Sequence, residues 1–153
     1  MSKLRIDGEV KQPVSWTHAN LAAIHSTYQI PDVTKYDAKR PGRAVRLAGI
    51  LVAVGEKPAA RWLTLHSSKD DFHASIPLAA VRDRALILYE LDGQPLPEAS
   101  GGPFRFFIPD HAACHTAQVD ECANVKFIDH LQLSAERGLD NRPQNEAEHA
   151  KLH

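Results

Sequence analysis

The densest set of metal-ligating side chain types lies in residues 101–133, GGPFRFFIPDHAACHTAQVDECANVKFIDHLQL, which hold His111, Cys114, His115 and Cys122. Imidazole and thiolate are the ligand types of zinc. Their spacing, H-x2-C-H-x6-C, lacks the C-x2-C and H-x3-H clasps of common structural zinc sites, and it sets Cys114 directly beside His115. A Cys114–Cys122 disulfide is sterically open, but a reducing compartment keeps such a pair as thiols. The third arrangement, a loop with free thiols and solvated imidazoles, is the one this spacing favours. A second group, His66 and His73, flanks a polar turn at Lys69-Asp70-Asp71. Histidines so placed either line a pocket or occupy half-exposed strand positions. Asp70 and Asp71 suit turn formation and capping of backbone N–H groups.

The elements that must position these groups follow from composition and pattern. At 153 residues the chain supports one domain with a real core. With 18 Lys+Arg against 19 Asp+Glu its formal charge is −1, so no long-range field favours nucleic acid or an anionic membrane surface. No apolar run approaches a membrane span, and MSKLRIDGEV has no apolar leader core, so a cytoplasmic location is expected. LRIDGEV suggests a short strand over residues 4–10 with a turn or bulge at Asp7-Gly8, and Thr17 a cap for a helix over about 18–25. Residues 25–43, with Pro31, Pro41 and Gly42, suggest a long surface loop of the kind that borders ligand sites. VRLAGILVAV is a buried helix or strand stopped by Gly55. RWLTLHSS and FHASIPL pattern as a hairpin, ALILYEL as a strand ending at Asp92-Gly93, and FRFFIP and VKFIDHLQL as two further strands. Strands and short helices in irregular order indicate an α+β mixed-sheet architecture over residues 1–135, followed by a polar, solvated C-terminal tail over 136–153.

The landmarks taken together resemble those of the molybdopterin-binding domain of the sulfite-oxidase-like oxidoreductases, in the small stand-alone form found in bacteria. The resemblance runs from IDGEVKQPVSWTHANLAAI through GRAVRLAGILVAVG, AARWLTLHSSKDDFHASIPL and ALILYELDGQPLPEASGGPFRFFIP to NVKFIDHLQL, most of residues 6–133. Its most specific parts are DGQPLP, GGPFRFFIP and NVKFI, similar to the family's N-G-x-P-L-P, G-x-P-x-R-x-x-x-P and V-K-W elements. The resemblance implies a mixed-sheet sulfite-oxidase-like fold holding a small-molecule cofactor, a pterin whose dithiolene chelates molybdenum. It makes Arg105 and Lys126 the cofactor-binding residues: Arg105 offers forked donors to phosphate oxygens, and Lys126 a compact positive charge for the same anion. Two departures accompany it. Ser100 stands where the family's second motif has a histidine before its glycine. The stretch HSTYQIPDVTKYDAKRPGRAVRL holds no cysteine, whereas catalytic members carry there a thiolate that ligates molybdenum. The expected function is a molybdopterin-binding oxidoreductase domain, degenerate at the metal ligand; the alternative is a cofactor-free binding or assembly module on the same fold.

Overall fold

The computed structural model describes residues 2–36, 41–109 and 124–142. In chain order its regular elements are strands β1 (Leu4–Gly8) and β2 (Val14–Trp16), helix α1 (His18–Ala22), strands β3 (Gln29–Ile30) and β4 (Arg43–Arg46), helix α2 (Leu47–Val54), strands β5 (Trp62–Ser67) and β6 (Phe72–Pro77), helix α3 (Leu78–Val81), and strands β7 (Leu86–Leu91), β8 (Gln94–Pro95), β9 (Arg105–Phe107) and β10 (His130–Ser134). The polar turn between β5 and β6 closes the expected hairpin, with Trp62 opposite Pro77 and His66 opposite His73. The run VRLAGILVAV splits into a strand end and α2, which Gly55 terminates in the left-handed conformation with its N–H on Leu51 O. The long loop over 25–43 is less bare than expected: it carries two 3-10 turns, Ser26–Tyr28 and Val33–Tyr36, and the short β3.

The strands form two sheets. One has the order β2-β1-β10-β5-β6; the other has β3-β4-β7-β8, with β9 also paired to β7. Among the described pairings only β1 with β10 is parallel, so the architecture is mixed α+β. Alternation decides which faces meet. Leu4, Ile6, Leu63, Leu65, Ala74, Ile76, Leu131 and Leu133 of the first sheet share one core with Val45, Ile87, Tyr89 and Phe106 of the second and with the apolar side of α2. The other face of the second sheet buries Leu86 and Leu88 beneath Ile30, Val33 and Leu96. Burial on both faces is why ALILYEL is a continuous apolar run, whereas WLTLHS alternates because only one of its faces enters the apolar core.

The stretch after Ala135 is polar and largely exposed, but it is not detached from the sheet. Residues 136–139 and 141 are exposed, yet residues 138–142 also bond along β6. Gly138 passes so close to the first sheet that a Cβ on it would sit 2.4 Å from Thr64 Oγ1, and its N–H donates to Ser75 Oγ. Asn141 donates its N–H to His73 O and accepts the His73 N–H, while Asp140 accepts the Ser75 N–H and Arg142 donates to Ser75 O. These bonds satisfy the outer backbone groups of what would be an open edge strand. Asp140 and Arg142 are themselves buried, their side chains 3% and 6% exposed, and paired at 2.7 Å. Burial alone would raise the Asp140 pKa, but hydrogen bonds from Arg142 and from the Ser75 N–H outweigh it and hold the carboxyl below its ordinary range. Composition shows only that the segment is polar; a specific ion pair docks it.

Removing one partner of a buried pair leaves an uncompensated charge. Arg142→Ala is therefore expected to cost about 3 kcal/mol or more in urea denaturation; a loss under about 0.5 kcal/mol, typical of ordinary surface substitutions, would show that the strap adds nothing.

Candidate functional site

Arg105 lies on β9, opposite Leu88 of β7, with its side chain half-buried and Nη1 donating to Ser100 O at 3.2 Å. The chain returns beside it at 125–128. Phe106 N–H donates to Val125 O, Phe127 N–H to Gly101 O at 2.8 Å, and Ile128 N–H to Phe104 O. Val125 and Ile128 are buried by this ladder, and Lys126 between them is exposed. VKFIDHLQL is thus not one strand. Phe127 adopts a left-handed φ of +55°, which breaks the extended run so that only His130–Ser134 continues as β10.

Gly101 is where the two basic side chains meet. Its φ is +92°, and a Cβ there would lie 2.9 Å from Arg105 Cδ and 3.3 Å from Lys126 Cγ. The missing side chain lets both stems run past the same backbone, so the two residues expected to hold an anion do share one location. A further group reaches Phe127 of this ladder without a sequence motif to mark it. Lys69, from the β5–β6 turn, holds Nζ 4.3 Å from the centre of the Phe127 ring and pairs with Glu98, which starts the 3-10 turn leading into Gly101. Ser67 Oγ and Asp129 Oδ1, two residues before Lys69 and two after Phe127, are buried without a hydrogen-bond partner among the described residues.

His66 and His73 do not line a described cleft. They are cross-strand partners on the outer face of the first sheet, with Nδ1 atoms 2.7 Å apart. His66 Nε2 lies 3.0 Å from Gln132 Oε1, and His73 Nε2 lies 3.2 Å from Asp71 Oδ1. His130 continues the row, stacked on His66 at 4.7 Å and donating to Asp7 Oδ1 at 2.6 Å. Asp71 therefore serves its own turn, at φ +48°, and the His73 ring, while Asp70 is exposed. Among the described residues no group of three or more His, Cys, Asp or Glu side chains is arranged to hold a metal ion. His111, Cys114, His115 and Cys122 lie outside the described residues.

A cleft of about 350 Å³ borders the 25–43 loop, between Pro31, Asp32, Pro41, Gly42 and Arg43 on one side and Glu90–Gly93 on the other. Arg105 and Lys126 are not among its walls. Behind it, Arg43 Nε and the Tyr89 hydroxyl both donate to Gln29 Oε1, at 3.3 and 2.6 Å, and His18 pairs with Glu90 at 3.2 Å. Burial pushes the Tyr89 phenol above its ordinary pKa. Asp32 Oδ1 is committed to its own turn, accepting from Thr34 N–H and Oγ1, which holds that carboxyl below its usual range. No helix among the described residues is long and apolar enough to cross a membrane.

Against known proteins, the family profile described as oxidoreductase molybdopterin binding domain matches residues 43–139. Among solved structures, the chain is similar to the sulfane dehydrogenase SoxCD from Paracoccus pantotrophus, with a TM-score of 0.64 and 17% identity over 89% of this chain. The likeness spans 39% of the SoxCD chain. No curated protein matches.

The histidine row sets a pH dependence. Burial lowers the His66 pKa, with the hydrogen bond to Gln132 opposing and the neighbouring His130 and His73 adding to the depression. The unfolded chain therefore takes up a proton at His66 more readily than the folded one, so this contribution is complete above about pH 6.5 and is lost as pH falls below it. Urea titrations between about pH 7.5 and 5 should show a shallower acid-side loss for His66→Gln than for the wild type. Parallel curves would assign that loss to other groups.

Proposed function

Because the chain belongs to the oxidoreductase molybdopterin binding domain family, we propose that it binds the family's pterin cofactor, with Arg105 and Lys126 holding the phosphate end. The observation that carries this reading is the Gly101 cradle, where the stems of both cations pass one left-handed glycine. A phosphate fits such a place. It accepts paired N–H donors from a guanidinium and the point charge of an ammonium, and the missing Cβ of Gly101 leaves room for both stems beside the backbone. Arg105 is braced by its bond to Ser100 O, which fixes the direction of the guanidinium. When bound, the group would supply two-electron redox chemistry at its metal. The chain's own part is to grip the anion and to orient what is attached to it.

The metal end fits less well. In catalytic members a thiolate comes from the segment before the W-G-V-x-L-like element, and here that segment contributes Pro31, Asp32, Pro41 and Gly42 to the cleft wall. The Asp32 carboxylate is a hard oxygen donor already bonded to Thr34, so it does not replace a soft thiolate. The chain's two cysteines, Cys114 and Cys122, lie instead in the connection between Arg105 and Lys126. We therefore read the domain as degenerate at the metal ligand, and no catalytic step is assigned to it. The same missing thiolate favours a second reading, a cofactor-free binding or assembly module.

Metal analysis separates the two. Full chain purified from a host that makes the cofactor should carry close to stoichiometric molybdenum on the first reading and none on the second. On the first reading Arg105→Ala should lower the retained molybdenum and pterin several-fold at an unchanged melting temperature. Equal retention by that variant would remove Arg105 from the site.

A further inference from the structure

We propose that Lys69 is a third anion-binding side chain of the Gly101 cradle, and that Glu98 is its built-in counter-ion, displaced when a phosphate group enters. The inference rests on the reading of Arg105 and Lys126 as a phosphate grip, and it adds a residue from a separate part of the chain.

Three observations meet here. Lys69 sits on the β5–β6 turn of the first sheet, far in sequence from the other two cations. Its Nζ is nonetheless seated 4.3 Å from the centre of the Phe127 ring, a cation–π position. Phe127 is covalently next to Lys126, and its N–H is bonded to Gly101 O, so the ring that seats Lys69 belongs to the cradle itself. Glu98, the ion-pair partner of Lys69, begins the turn whose last residue bonds Arg105 and whose exit is Gly101.

The energetics favour exchange over a fixed latch. The Lys69 and Glu98 side chains are 48% and 75% exposed. An exposed ion pair stabilises by about 0–1 kcal/mol, so releasing Glu98 into water costs little. A phosphate monoester brings up to two negative charges and three acceptor oxygens, more than one carboxylate offers the same ammonium. Asp70, on the same turn, is exposed and solvated. Glu98 thereby keeps Lys69 paired in the empty protein and competes with weak monovalent anions for it. The class of ligand selected is a phosphate ester dianion rather than a carboxylate.

The test is a titration of the full chain with inorganic phosphate, followed by amide chemical shifts, with chloride at matched ionic strength as the control. Lys69→Gln should weaken phosphate binding about two- to fivefold and Glu98→Gln should strengthen it by a similar factor, the range an exposed charge pair supports. The Glu98→Gln gain should vanish when Lys69 is also Gln, since the carboxylate acts through that ammonium. Lys69→Arg should restore binding. If Arg105→Ala weakens phosphate binding while Lys69→Gln and Glu98→Gln leave it unchanged, the cradle stands and the role of Lys69 falls. Phosphate binding indifferent to Arg105→Ala as well would overturn the cradle reading with it.

Discussion

The backbone ladder between residues 101–106 and 125–128 is the constraint on which the rest of the molecule turns. Residues 105–107 are the β9 partner of β7 in the second sheet, and residue 130 onward is the central β10 of the first. Three hydrogen bonds, from Phe106, Phe127 and Ile128, therefore join the strand systems as well as forming a local turn. The ladder buries Phe104, Phe106, Val125 and Ile128 in the shared core, which ties the position of Lys126 to packing that also holds both sheets. Each fully buried apolar side chain of this kind contributes about 1.5–3 kcal/mol, far more than any exposed ion pair at the rim. Placement of the cations is thus set by the core, while the cations themselves stabilise little.

Buried and exposed charges accordingly do different work. Asp140 and Arg142 are almost wholly withdrawn from water and bind the edge of β6, so their pairing is structural and sensitive to loss of either partner. Lys69 and Glu98 are mostly solvated, and Lys126 is exposed. A site that must exchange its counter-ion for a ligand requires the second kind, since a desolvated pair would resist separation. The row Asp7, His130, His66 and His73 falls between the two: half-buried, with the ring of His66 in contact with those of His73 and His130, and His130 bonded to Asp7.

Much of the fold is legible in the sequence because periodicity reports which face of a segment is buried. RWLTLHSS alternates and becomes β5 with Leu63 and Leu65 inward, and ALILYEL does not alternate because β7 is covered on both sides. Arg105 and Lys126 could be singled out through the motifs around them, and they are found together at Gly101. What periodicity cannot carry is approach between distant segments. Nothing local to Lys69 marks it as a neighbour of Phe127, and the β5–β6 turn reads simply as a polar turn. Gln29 is polar yet buried, because the Tyr89 hydroxyl and Arg43 satisfy its amide. The strap over 138–142 has the composition of a solvated tail, and its docking depends on geometric matching of Asp140, Asn141 and Arg142 to the backbone of β6. Phe127 looks like a mid-strand aromatic, and its left-handed backbone follows from the bond to Gly101 O rather than from its own preference.

The two ends of the expected ligand place unequal demands on this fold, which explains how one can persist without the other. The proposed phosphate end rests on backbone geometry, a glycine and a ladder that also joins the sheets, so that geometry cannot be dismantled without cost to the core. The metal end depends on one side chain in the loop before β4. That loop is anchored by Ile30 and Val33, which pack against Leu86, Leu88 and Leu96, and by the Val33 N–H on Gly42 O. None of these contacts involves a sulfur donor. Replacing a thiolate there leaves the packing of the second sheet intact, so stability exerts no pull to keep it. On the proposed reading, the placement of Arg105 and Lys126 is thus kept for structural reasons, whereas a metal ligand would be kept only where chemistry at the metal is itself selected.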